Sequence, residues 1–259
     1  MVQDSQERNF VTDAINLKSY NLSEADKIVV MYSKDKGLIK GVAKGVKKPK
    51  SKLGARMDIF VANTIMLHKG RSLNRICQAD VINTFQKSRQ DIDKVFYSMY
   101  VAEIVNCFGH EDDPDSPIVY DLLYKTLNTI TNAQSKVEVL LAVIKFQLKI
   151  MIESGFSIEL TSCLHCQKEI KDETLYFVPR MGGIICKDCA KKIPYNKKQM
   201  PYKLRDFLKT MAQNDFDTKS FYEEKANTQV CGVVFELLKN YINTKSPQKI
   251  KSAQMLSVI

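Results

Sequence analysis

The chain has 259 residues, 44% hydrophobic and 26% charged, an ordinary balance for a globular protein with a sizeable core. No apolar run approaches the ~20 residues of a membrane span, and Met1 to Arg8 is polar, unlike a signal peptide, so the expectation is a cytosolic protein with reduced thiols. The net charge of +10 points to a polyanionic partner, and it lies in two blocks. Lys34 to Arg56 carries nine basic residues against Asp35 alone, and Lys187 to Lys209 carries eight against Asp188 and Asp206.

Residues 9 to 85 read as consecutive β-strands. Phe10 to Ser19 is the first, and Ile28-Val29-Val30-Met31-Tyr32 is a β-branched second. The turn Ser33-Lys34-Asp35-Lys36-Gly37 leads into a third strand, Leu38 to Val46, where Gly41 and Gly45 predict a bulge or strong coiling. Ile59, Val61, Asn63, Ile65 and Leu67 alternate as in a half-buried strand, and a fifth runs from about Leu73 to Val81. Five short strands predict a small barrel or sandwich. Between the third and fourth, Lys47-Lys48-Pro49-Lys50-Ser51-Lys52-Leu53-Gly54 is a cationic, mobile loop, suited to phosphate or simply to solubility.

From about residue 90 the apolar period becomes helical, with Ile92, Val95, Phe96, Met99 and Ala102 on one stripe. After an acidic loop from His110 to Asp115, Ser116 and Pro117 predict a capped helix start. Ser135 and Glu138 form a capping box before a helix reaching Glu153 that is apolar nearly all round, which makes it central to a bundle. Further helices are expected near Tyr202 to Met211 and Thr228 to Thr244.

Between these helices lie Cys163-Leu164-His165-Cys166 and, 19 residues on, Cys186-Lys187-Asp188-Cys189. Paired Cys-x-x-Cys knuckles at this spacing predict one zinc ribbon over 161–193, with Thr174 to Arg180 as a strand and Gly182-Gly183 as a turn. Unrelated thiols and two disulfides are the competing readings, and a reducing compartment argues against the second. Four thiolates leave no open position, so the zinc is expected to be structural. His165 is either a substitute ligand or an exposed donor beside the sulfurs. Cys77, Cys107 and Cys231 read as small buried hydrophobes.

No catalytic constellation emerges. The chain has three histidines; His68 ends a strand, His110 sits among acidic turn residues, and His165-Cys166-Gln167 lacks the glutamate of a zinc deaminase. There is no phosphate-binding glycine loop and no nucleophile elbow.

The order of parts resembles the RecO family of bacterial recombination mediators over residues 11 to 254. The likeness is carried by Ala14-Ile15-Asn16-Leu17-Lys18-Ser19-Tyr20, Glu24-Ala25-Asp26, Gly37-Leu38-Ile39, Ala43-Lys44-Gly45-Val46-Lys47-Lys48 and Ser51. The knuckles after a long helix and the closing Ile250-Lys251-Ser252 extend it. The resemblance implies an α+β chain, with a five-stranded OB-fold barrel over 1–85 and a helical domain over 86–259 carrying the ribbon. It implies a DNA repair and recombination mediator that is not an enzyme and has no small-molecule substrate. Such a protein binds single- and double-stranded DNA, anneals complementary strands, and works with RecR and the C-terminal tail of SSB in loading RecA. A bacterial, nucleoid-associated cytoplasmic location follows from the same likeness.

On this reading Lys44, Lys47, Lys48, Lys50, Lys52 and Arg56 hold phosphates, joined by Arg71 and Arg75 from a neighbouring strand. The only aromatics near the first block are Tyr32 and Phe60, so binding is expected to be more electrostatic than stacking. The second block extends this track, docks a partner or is a solvated face. The alternative class is an RNA-binding or ribosome-associated zinc-ribbon protein; a scaffold whose charge serves solubility is a third.

Overall fold

The computed structural model describes residues 9–171, 174–213 and 228–256. The chain divides into two compact units, Met1–Asn132 and Ala133–Ile259.

In the first unit β1 (Asn9–Asn21), β2 (Lys27–Ser33), β3 (Gly37–Ala43), β4 (Ala62–His68) and β5 (Asn74–Asn83) close into a barrel in the order β1-β2-β3-β5-β4. All neighbours are antiparallel except β3 and β5, which pair in parallel at Gly41 with Asn74 and Val42 with Arg75. This is the five-stranded Greek-key barrel of the OB type. Alternate residues fill it, among them Ala14, Val29, Met31, Ile39, Ile65 and Leu67. Gly41 is required where the barrel closes, because a Cβ there would meet Ile76 Cγ1 at 2.7 Å and Leu67 Cδ2 at 3.1 Å.

β1 serves two neighbours. Its first half pairs with β4 up to Ile15 opposite Ala62, and the whole of its second half pairs with β2. The β2 register shifts between Asn16 and Lys18, so Leu17 is the extra residue of a bulge. Ala14 and Asn16 point inward; strict alternation would send Lys18 and Tyr20 inward as well. The bulge reverses the parity and puts both on the outer face.

β3 ends at Ala43 and β4 begins at Ala62, short of the limits expected at Val46 and Ile59, so the connection spans residues 44–61, and the expected mobile loop of 47–54 is only its middle. Val46 and Met57 are buried in the barrel core, and Leu53 packs against it. Gly54–Met57 forms a single 3-10 turn. The connection is therefore a cap on one end of the barrel, held by apolar side chains too widely spaced to read as a periodic element.

α1 (Ile92–Phe108) starts at Asp91, whose carboxylate accepts from the backbone N–H of Asp93 and Lys94. α2 (Ser116–Asn132) follows the acidic loop. The Ser116 hydroxyl does not cap this helix; it donates to the Lys34 carbonyl at 2.8 Å. The Tyr32 hydroxyl donates to Asp113 at 3.1 Å, and Lys34 and Lys36 pair with Asp121 and Asp112. Burial first, then the Asp113 carboxylate, pushes the Tyr32 phenol far up, so it stays a donor. The acidic loop thus clasps the β2–β3 turn.

In the second unit α3 (Lys136–Glu153) bears out the capping box: Ser135 Oγ accepts from Glu138 N, and Glu138 reaches back to Gln134 N. Leu140, Val143, Ile144 and Phe146 are fully buried, as expected of a central helix. α3 packs against α5 (Tyr202–Gln213) and α6 (Thr228–Lys245). In the chain between α3 and α5, β6 (Thr174–Val178), β7 (Gly183–Cys186) and β8 (Lys198–Pro201) form a sheet in the order β7-β6-β8, with α4 (Lys187–Lys192) after β7. Among the described residues no helix is long and apolar enough to cross a membrane.

Candidate nucleic-acid interface and metal centre

The cationic connection is fastened at both ends. At its start Gly45 N donates to Asp26 Oδ1 at 2.7 Å, and Lys47 N and Nζ donate to the carbonyls of Ala25 and Ser23, each at 3.1 Å. At its far end two asparagines inside the barrel reach out to it. Asn16 Nδ2 donates to the carbonyls of Arg56 and Asp58, both at 2.8 Å, and Asn63 Nδ2 donates to the same Arg56 carbonyl at 2.9 Å. Phe60 N closes the turn on Asn16 O at 2.8 Å. Both asparagines are essentially unexposed, and their Oδ1 atoms have no hydrogen-bond partner among the described residues. An unpartnered buried oxygen costs about 1–3 kcal/mol, so these amides are kept at a cost to hold the backbone of the connection.

Between the two fastenings the chain arches over the end of the barrel, with Leu53 packed against the core. Lys44, Lys47, Lys48, Lys50 and Lys52 are exposed, and among the described residues none has an acidic partner. Arg56 is half-buried and donates to the Lys52 carbonyl. Arg75, exposed on β5, lies opposite Val42, two residues before Lys44, so it shares the edge from which the arch leaves. Arg71 is exposed in the β4–β5 turn at the opposite end of β5 from Asn83. The first block is therefore not uniform: Lys34 and Lys36 are neutralised by the acidic clasp, while the lysines of the arch are not. Neither aromatic singled out in the sequence faces solvent; Tyr32 is 0% and Phe60 4% exposed.

In the second unit the sulfurs of Cys163, Cys166, Cys186 and Cys189 all lie within 4.8 Å of one another. The antiparallel register of β6 and β7, Leu175 opposite Cys186 and Val178 opposite Gly183, with Gly182 at φ +80° in the turn between them, sets the second knuckle at the end of β7. Leu164 N donates to Ile184 O at 2.9 Å, tying the first knuckle to β7. Glu159 braces the approach: its carboxylate accepts from Thr161 N at 2.6 Å and Ser162 N at 2.8 Å. Those bonds, the one from Ser162 first, hold its carboxyl below the ordinary 4.5.

Burial opposes ionisation of Cys163, but backbone N–H groups of Cys166, Cys186 and His165 aim at its sulfur and bring it down to about 6. Cys189, desolvated and hydrogen-bonded to the other three thiols, is pushed up. A tetrahedral ion with bonds near 2.3 Å needs sulfurs ~3.8 Å apart, so this cluster fits a thiophilic metal ion with small side-chain movements. His165 stands outside the set, exposed, with Nδ1 3.4 Å from Cys189 Sγ. Of the single cysteines Cys107 and Cys231 are buried, as expected, but Cys77 is exposed, because it lies on the outer face of β5.

The second basic block is partly structural. Arg205 is 5% exposed; its Nη1 donates to Ile170 O at 2.9 Å, and its guanidinium lies 3.9 Å from the centroid of the Tyr202 ring. It fastens the residues after the first knuckle to α5. Lys191 pairs with Asp188 at 3.3 Å, and Lys197 Nζ donates to Ile193 O at 2.8 Å. Sequence reading missed Asn16, Asn63, Glu159 and the burial of Arg205. Only Asn63 carried a signal, as the one polar member of an otherwise apolar inward-facing set.

Comparison with known proteins matches the family model described as Recombination protein O N terminal to residues 8–85 and that described as Recombination protein O C terminal to residues 89–254. A DNA repair protein RecO from Desulforamulus reducens is 31% identical over 246 residues, 94% of this chain and 92% of that protein. One from Synechococcus sp. is 27% identical over 259 residues, 96% of this chain and 90% of its own. One from Dehalococcoides mccartyi is 32% identical over 181 residues, 70% of each.

Proposed function

This chain belongs to the recombination protein O family, and from that premise we propose that it is a DNA repair and recombination mediator. It binds single- and double-stranded DNA on the barrel, anneals complementary strands, and acts with RecR and the C-terminal tail of SSB in loading RecA. The observation that carries the DNA-binding reading is the arch of residues 44–56: five exposed lysines without acidic partners, on a backbone fastened at both ends. Fixing the backbone lowers the ordering cost when phosphates bind. Arg56, Arg71 and Arg75 add charge on the same unit. Annealing needs no catalytic group, because two strands on one cationic surface repel each other less. One zinc ion held by Cys163, Cys166, Cys186 and Cys189 supplies structural support, with all four positions filled by thiolates.

The test is DNA affinity against salt concentration. On single strands log K falls with log[salt] by about 0.7 per phosphate contacted. Changing Lys47, Lys48 and Lys50 together to alanine removes up to three contacts and flattens the slope by about 2. An unchanged slope rules the arch out as the phosphate site. Competition with RNA of the same sequence separates this reading from that of an RNA-binding ribbon protein.

A further inference from the structure

We propose that the outer face of the barrel carries a platform for unpaired nucleobases centred on Tyr20, beside the phosphate-binding arch. The register sets four residues in one row across four strands. Tyr20 on β1 faces Ile28 on β2, Ile28 faces Val42 on β3, and Val42 faces Arg75 on β5. Directly opposed residues project to the same side, and the bulge at Leu17 makes that side the outer one for Tyr20. Tyr20 is 51% exposed, Arg75 is exposed, and Ile28 and Val42 are half-buried between them. The row is thus an aromatic ring and a guanidinium, both able to stack on a base, joined by an aliphatic floor.

Two features decide the occupant. Lys18 holds its ammonium 5.5 Å from the Tyr20 ring centroid, and the arch begins two residues after Val42 and is tied by Lys47 to the turn that follows β1. A ligand on the row therefore runs beside cations along its length, which suits a single strand with its bases on the row and its phosphates on the lysines. A duplex keeps its bases paired and stacked inside and cannot use the ring. The other end of the same face is closed: Tyr32 is buried there, bonded to Asp113 of the loop before α2. The platform is accordingly short, one or two bases. It adds stacking to binding that the sequence led us to expect as electrostatic.

This inference rests on the DNA-binding reading above, and the chain's lack of tryptophan makes it directly testable. In the full-length protein Tyr20→Trp supplies a single tryptophan. Its fluorescence should be quenched by oligothymidylate and not by a duplex of equal length. Tyr20→Ala should weaken binding to the single strand about tenfold, with the salt slope and the duplex affinity unchanged, and Tyr20→Phe should restore binding. Anisotropy of a labelled oligonucleotide reports binding independently. Binding without quenching, equal quenching by duplex, or an alanine variant that binds single strands like the parent overturns the platform. If the triple lysine variant keeps its slope while Tyr20→Trp is quenched, the arch fails as phosphate site and the platform stands.

Discussion

Replacing Asn63 by leucine tests whether the barrel interior holds the cationic connection in place. Leucine has the branching and side-chain heavy-atom count of asparagine but roughly two methylenes more volume, so the site stays filled at an overpacking cost of about 1–3 kcal/mol. The change removes the Nδ2–H that donates to Arg56 O at 2.9 Å, a bond worth about 1 kcal/mol net. It also removes the Oδ1 atom that is buried without a partner, which relieves about 1–3 kcal/mol. With the overpacking these effects largely offset, so global stability should change by no more than about 1–2 kcal/mol. The local effect is not offset. Arg56 O keeps only the bond from Asn16, and opening of the far end should become about fivefold more frequent, the factor that ~1 kcal/mol gives. Native-state hydrogen exchange reads this directly. The amides of Met57, Asp58 and Phe60, bonded to Leu53 O, Ala55 O and Asn16 O, should speed up about fivefold more than β1–β4 amides such as Thr12. Unaltered exchange at those three amides, or equal loosening of the whole barrel, refutes the clamp.

Two further outcomes concern the second unit. On the proposal of one structural zinc, Cys163→Ser should lower the bound metal and the melting temperature, while DNA affinity of the folded protein stays the same; loss of DNA binding with the fold retained would put the ribbon on the DNA. Glu159→Gln should cost on the order of 1 kcal/mol at neutral pH by weakening the hold on Thr161 N and Ser162 N. Because the folded carboxyl titrates below its ordinary 4.5, its contribution is complete above that value and is lost as pH falls through the folded value. The gap in melting temperature between parent and variant should therefore close on acidification below about pH 4.5; a gap constant with pH would mean the carboxylate charge plays no part.

Much of this protein is written in local patterns. The five strands follow from β-branched runs and turn residues, α3 from its capping box and all-round apolar faces, and the four-cysteine cluster from two knuckles at a fitting spacing. These signals are short-range, so a sequence displays them directly. The OB topology and the family came instead from the resemblance, carried by the first fifty residues.

What tertiary structure alone decided is of a different kind. Which lysines are neutralised depends on where the acidic loop folds back, since Lys34 and Lys36 find Asp121 and Asp112 far along the chain. Residues 47–54 read as a mobile loop because the apolar anchors Val46, Leu53 and Met57 obey no period, yet the end of a closed barrel gives them a place to pack. Tyr20 shares the parity of the inward-facing Ala14 and Asn16, and a single bulged residue, Leu17, turns it outward into line with Arg75. Periodicity fixes a side chain's direction only while the register is unbroken. One extra residue reverses it, and only the pairing of strands shows where that residue is.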